Sequence, residues 1–171
     1  MNIMREIKVE KITLNIGVGA PGEKLEKAMK LLKNITGLKP VPTSSNKRIP
    51  TWGVRPNLNI ACKVTVRGKN AEKLLVNLLS AADNKLSRNK FDKFGNFSFG
   101  IPEYIDIPDV QYDASIGVIG LEVAVTLGRP GFRIGKRSIR TRKIPMKHRI
   151  TTDDAVNFMK DKFGIVVGEE E

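Results

Sequence analysis

ITLNIGV, at residues 12 to 18, alternates apolar and polar side chains with the period of two expected of a half-buried β-strand. IACKVTVR, at residues 60 to 67, repeats the pattern. Because successive side chains of a strand point to opposite faces of a sheet, the apolar residues of both segments would enter a core and the polar residues would face away from it. The outward residues are Thr13, Asn15, Lys63, Thr65 and Arg67. The two segments predict a sheet with one face of amide, hydroxyl and cationic groups that helices need not cover.

Other segments have the spacing of helices and strands. Apolar residues three and four positions apart predict helices over residues 23 to 35, 70 to about 82, and 152 to 163. Gly37 and Gly164 are placed to end the first and third helices, and Asn70 can cap the second. Short strands are expected near residues 96 to 101 and 121 to 127.

The charge of the chain indicates a polyanionic partner. Its 171 residues, expected to form a single domain over residues 1 to 171, include 30 Lys and Arg against 18 Asp and Glu, for a formal net charge of +12. Neither residues 27 to 71 nor residues 123 to 152 contain an acidic side chain, whereas a short acidic tail closes the chain at residues 169 to 171. A single basic stretch is often only a solvated face, but two long acid-free windows favour binding to nucleic acid.

Two loops in these windows are candidate contact surfaces. Residues 39 to 59 lack apolar periodicity and are punctuated by proline, which predicts an irregular strand followed by an exposed loop. In that loop Trp52 offers a stacking surface beside Arg55. Residues 129 to 149, here called the basic arm, are predicted to form a long loop that contacts phosphate. The cations of the basic arm are Arg129, Arg133, Lys136, Arg137, Arg140, Arg142, Lys143, Lys147 and Arg149.

Composition also argues against a secreted or membrane protein. A lone cysteine, Cys62, cannot form an internal disulfide, so an extracellular disulfide framework is not expected. No N-terminal stretch resembles a signal peptide, and the most apolar segment, residues 116 to 127, is too short to span a bilayer. We therefore expect a soluble, cytoplasmic protein without a membrane partner.

Motifs for catalysis are weak. GVGAPG, at residues 17 to 22, matches the glycine pattern of a dinucleotide-binding turn, but the acidic residue expected about 20 positions later to hold the ribose is missing. The only histidine, His148, is better explained as a structural or phosphate-contacting residue than as a catalyst, and Cys62 as a buried small hydrophobe. Three aspartates between residues 106 and 113 lack the spacing of a calcium loop. We expect no enzyme activity, no cofactor and no metal.

Several motifs, in order, resemble a known family. ITLNIGVG (12 to 19), ITGLKP (35 to 40), CKVTVRG (62 to 68), FGNFSFGI (94 to 101), and GRPGF (128 to 132) with KHRI (147 to 150) are similar to the fifth ribosomal protein of the large subunit in its archaeal and eukaryotic form. The resemblance covers nearly the whole chain. It implies an α+β fold, with helices packed on one face of a largely antiparallel sheet and long basic loops.

The resemblance also implies partners. Family members bind 5S rRNA, help attach it to large-subunit rRNA in the central protuberance, contact P-site tRNA, and bridge to a protein of the small-subunit head. By motif position Asn15 and Thr65 correspond to rRNA-contacting residues, and the loop from Trp52 to Arg55 to the tRNA-facing loop. The residues expected to bind rRNA are Thr13, Asn15, Lys39, Lys63, Thr65 and Arg67. Leu38 stands where many members have Gln, so an rRNA contact made by that side chain is in doubt here.

Two other functions remain open at this point. A general nucleic-acid-binding protein that compacts DNA would share the charge, but would bind without preference for RNA. An enzyme that used the glycine turn would bind a dinucleotide. Neither alternative explains the series of family motifs.

Overall fold

The computed structural model describes residues 2 to 168, and the acidic tail at residues 169 to 171 lies outside the described residues. The strands are β1 (Lys8–Gly17), β2 (Val41–Ser44), β3 (Asn59–Arg67), β4 (Lys85–Ser87), β5 (Phe97–Ile101), β6 (Leu121–Gly128) and β7 (Val166–Gly168). The helices are α1 (Glu23–Thr36), α2 (Lys69–Ser80) and α3 (Thr152–Phe163).

Five of the strands form one sheet in the order β2-β3-β1-β6-β5, and each neighbouring pair is antiparallel. β1 is the central strand and begins at Lys8, four residues before the apolar alternation becomes clear in the sequence. A register shift between Val9 and Lys11 marks a bulge opposite β6. The predicted α+β fold with a largely antiparallel sheet is confirmed.

One face of this sheet carries the core. Alternate residues of each long strand are buried, among them Ile12, Leu14 and Ile16 of β1, which are at most 2% exposed. They join a single cluster with the buried stripes of all three helices. Burial of each large apolar side chain contributes about 1.5 to 3 kcal/mol, so this face supplies most of the driving force for folding. The helices cover that face, and the residues that alternate with the core point away from it.

The helix ends follow local chemistry. Gly37 and Gly164 end α1 and α3 with positive φ values of 67° and 65°, as their positions in the sequence predict. The predicted cap at Asn70 is wrong: α2 starts one residue earlier, its N-cap is Gly68 at φ 68°, and no side chain caps it. The turn after β3 requires a left-handed residue, which glycine adopts at low cost.

Two short strands were not predicted from the sequence. β4 and β7 pair in parallel as a separate two-stranded sheet, with Leu86 opposite Val167. Each has three residues, too few for alternation to be recognised, and the pairing joins segments about 80 positions apart. No helix among the described residues has both the length and the apolar character needed to cross a bilayer.

Candidate nucleic-acid interface

The face of the sheet opposite the core, here called the open face, carries polar side chains in rows across the strands. Asn15 on β1 pairs with Lys63 on β3 and with Glu122 on β6, so these three residues form one row. The next row pairs Thr13 with Thr65, whose hydroxyl oxygens are 3.5 Å apart. A third row pairs Lys11 with Arg67. The register thus brings together the outward residues that the sequence assigned to a common surface.

Exposure shows that no helix covers these rows. Lys63, Thr65 and Arg67 are exposed, and Thr13 and Asn15 are half-buried between the neighbouring strands. The prediction of an uncovered polar face is therefore confirmed. Hydroxyl, amide and cationic groups can contact ribose and phosphate oxygens, and a wide, shallow surface suits folded RNA.

Glu122 is a part of this face that sequence reasoning missed. Its carboxylate oxygen Oε2 accepts a hydrogen bond of 3.0 Å from the Asn15 side-chain amide. The alternation in β6 does predict that Glu122 faces away from the core, but only the strand order shows that it lies beside Asn15. The bond orients the amide, so Asn15 presents a defined donor and acceptor pattern.

The loop between β2 and β3 holds Trp52 away from the protein. The loop is closed by a bridge between Ile49 and Val54, and Val54 is buried beneath it. Trp52 lies in a short 3-10 turn, with 75% of its surface exposed, and Arg55 is also exposed. An exposed indole on a closed loop is available to stack on a nucleotide.

Lys39 and Leu38 precede the edge strand β2. Both are exposed, with Leu38 at 43%. Val41, two residues after Lys39, pairs with Lys63, so Lys39 lies near the edge of the open face.

The basic arm has no α-helix or β-strand, as predicted, but both of its ends are fixed. His148 Nε2 donates to the carbonyl of Pro130 at 2.9 Å, so the histidine has a structural role. The side chain of Arg129 is 10% exposed and forms an ion pair of 3.1 Å with Asp154, which also accepts a bond from the backbone of Thr151 at the start of α3. Arg129 therefore ties the start of the arm to α3.

The placement of Arg129 favours a structural role over the phosphate contact predicted from the sequence. Its guanidinium also donates to the carbonyls of His148 and Arg149, at 3.4 and 3.0 Å. Both terminal nitrogens of this guanidinium donate to protein acceptors, which points to a structural role for Arg129. Arg149 is similar in part, since its Nε donates to the carbonyl of Ile144.

The middle of the arm is different. Within residues 2 to 168, no ion pair involves the exposed cations Arg133, Arg140, Arg142, Lys143 and Lys147. Lys136 pairs with Glu10, and Arg137 donates to the carbonyl of Arg140. The basic arm thus has two fixed ends and an exposed cationic middle that can contact phosphate.

The geometry contradicts the dinucleotide alternative. A dinucleotide-binding turn connects two parallel strands through a helix, whereas both neighbours of β1 are antiparallel to it. Gly22 serves instead as the N-cap of α1, at φ 118°.

Burial raises the pKa of the Cys62 thiol to about 11, which makes it a poor nucleophile at neutral pH. No group of three or more His, Cys, Asp and Glu side chains suited to a metal ion occurs in the described part of the chain.

Comparisons with known proteins agree with the motifs. The family model described as ribosomal protein L5 matches residues 2 to 55, and the model for the C-terminus of the same ribosomal family matches residues 59 to 160. The protein named large ribosomal subunit protein uL5 from Nanoarchaeum equitans is 47% identical over 165 residues, which cover 96% of this chain and 97% of that protein. Its namesake from Methanosphaera stadtmanae is 44% identical over 167 residues, 98% of this chain and 99% of the relative. Another from Sulfolobus acidocaldarius is 44% identical over 168 residues, 98% and 94% of the two chains. The chain therefore belongs to the ribosomal protein L5 family.

Proposed function

We propose that this protein is a non-catalytic constituent of the large ribosomal subunit whose open face binds 5S rRNA. Membership of the ribosomal protein L5 family makes it a ribosomal component of the cytoplasm and not an enzyme. In the proposed role it also helps attach 5S rRNA to the large-subunit rRNA in the central protuberance. The Trp52 loop contacts P-site tRNA, and a further surface bridges to a protein of the small-subunit head.

The open face is the observation that carries the proposal. Three adjacent rows present Lys63 beside Asn15, Thr65 beside Thr13, and Arg67 beside Lys11, with no helix above them. Hydroxyl and amide groups can recognise the ribose 2′-hydroxyl, which distinguishes RNA from DNA. The cations within these rows, Lys11, Lys63 and Arg67, supply attraction to the RNA backbone.

The two loops extend this surface in different ways. The exposed middle of the basic arm adds charge without base specificity, so it strengthens association and makes it sensitive to salt. Trp52 and Arg55 combine a flat apolar ring with a cation, a pairing suited to stacking on an exposed base of a folded RNA such as tRNA.

Affinity for RNA tests the proposal. At physiological salt the protein should bind 5S rRNA more tightly than duplex DNA of equal length. Equal affinities would favour a general nucleic-acid-binding or DNA-compacting protein and would refute the proposal.

Substitutions on the open face locate the binding surface. Asn15→Ala and Thr65→Ala should each weaken 5S rRNA binding about fivefold, the effect of one lost hydrogen bond worth about 1 kcal/mol. Asn34→Ala, at an exposed position of α1, is the matched control and should leave affinity unchanged. Circular dichroism should show folded protein for all three variants. If Asn15→Ala or Thr65→Ala unfolded the domain, the residue would be structural.

A further inference from the structure

A depression lies at the β5 end of the open face, beside Asn15 and Glu122. Its volume is about 480 Å³, and Gly17, Gly100 and Gly120 contribute to its lining. A water molecule occupies roughly 30 Å³ in the liquid, so the depression has room for a planar ring. It is open to solvent on the side from which RNA would approach.

The glycines at Gly17 and Gly100 are not required by the fold itself. Neither has a positive φ, and a Cβ added at either position would meet no atom within 4 Å. Gly120 differs, since its Cβ would lie 2.8 Å from the carbonyl oxygen of Pro102. Glycine weakens a strand, and within a sheet it often marks a place where a ligand approaches the backbone closely. The absence of side chains at Gly17 and Gly100 is therefore explained by a ligand that approaches the backbone there.

The carboxylate of Glu122 determines that this ligand must present hydrogen-bond donors. A carboxylate offers about four acceptor sites, and the bond from the Asn15 amide to Oε2 uses one of them. Among the described residues, Glu122 forms no ion pair. A carboxylate on a surface that binds a polyanion repels phosphate, so its presence opposes binding unless donors from the RNA reach it.

We propose that the depression binds one unpaired guanine of the RNA and that Glu122 reads it. Guanine has two adjacent N–H donors, N1–H and the N2 amino group, on its Watson–Crick edge, and the two carboxylate oxygens of Glu122 accept them in parallel. Unpaired bases in RNA loops are commonly recognised along this edge. Cytosine, adenine and uracil each present only one such donor group there. The hydrogen bond from Asn15 holds the carboxylate in place for this contact. The inference rests on the proposed binding of 5S rRNA.

Chemical probing with kethoxal, which reacts with N1 and N2 of unpaired guanine, tests the inference. One guanine that reacts in free 5S rRNA should be protected in the complex with the wild-type protein. Glu122→Gln should restore its reactivity and weaken binding about tenfold, as expected for loss of one bidentate contact to a base. Glutamine keeps an acceptor for Asn15 and removes a negative charge, so electrostatics alone predicts tighter binding. Glu26→Gln, at an exposed position of α1, is the control and should not weaken binding.

Inosine at the protected position separates recognition from a general effect, since inosine lacks the N2 amino group. The replacement should weaken binding to the wild-type protein and have little further effect with Glu122→Gln, because the contact is already lost. Selective binding of 5S rRNA with no protected guanine, or with affinity unchanged or increased by Glu122→Gln, would overturn the inference alone. Absence of selective binding by the wild-type protein would overturn both the inference and the proposed function.

Discussion

Replacing Arg129 with methionine should destabilise the protein by about 2 to 3 kcal/mol. Arg129 is 10% exposed, and its guanidinium donates to two backbone carbonyls and to Asp154. Methionine retains much of the apolar stem but removes the donor to the carbonyls of His148 and Arg149, while Asp154 keeps only the bond from the backbone of Thr151. Hydrogen bonds to charged groups contribute about 1.5 to 3 kcal/mol, and the part-exposed Asp154 adds no more than about 1 kcal/mol. We place the loss near the middle of the combined range because solvent can reach Asp154, which is 42% exposed.

Urea unfolding measures this loss, with Arg133→Met as the matched control. Arg133 is exposed and forms no ion pair within the described residues, so its substitution should change the free energy of unfolding by less than about 0.5 kcal/mol. It should instead make the negative slope of log affinity for 5S rRNA against log salt less steep by about one. If Arg129→Met unfolded like wild type and lowered the salt slope, Arg129 would be a phosphate ligand and its structural assignment would be wrong.

Three further predictions concern the core and one surface ion pair. A hydrogen bond from Lys30 lowers the pKa of Asp113 from 3.8 to about 2, so its contribution to stability is present above about pH 4 and is lost as pH falls through about 2. Titration of the Asp113 carboxyl by NMR should show this pKa, and Lys30→Met should raise it; an unchanged titration would contradict the assignment. Gly95→Ala should cost about 2 to 4 kcal/mol in urea unfolding, because φ is 77° and the new Cβ would lie 2.5 Å from Ile150 Cγ2. Cys62 should react with a thiol reagent only after unfolding, and rapid reaction of the native protein would disprove its burial.

Local periodicity predicted the helices and strands whose apolar residues all lie on one side, facing the core. β3 and α3 lie within one or two residues of their predicted bounds, since their apolar residues recur at periods of two and 3.6. β4 and β7 were missed because a three-residue strand carries almost no periodic signal, and its partner is distant in the chain.

The candidate site was predictable in composition but not in arrangement. Alternation placed Thr13 and Lys63 on an outward face, yet the row that joins Lys63, Asn15 and Glu122 depends on strand order. Charge counting treated all cations of the arm alike. Only packing shows that Arg129 is enclosed, because its partner Asp154 lies on a helix 25 positions away.

Lysine acetylation read by mass spectrometry tests the central claim, that the open face binds RNA, most directly. Lys11 and Lys63 lie on this face, whereas Lys33 and Lys73 are exposed on α1 and α2. On binding 5S rRNA, Lys11 and Lys63 should become protected from acetylation while Lys33 and Lys73 stay reactive. Protection of the helix lysines, with Lys11 and Lys63 still reactive in the complex, would contradict the account.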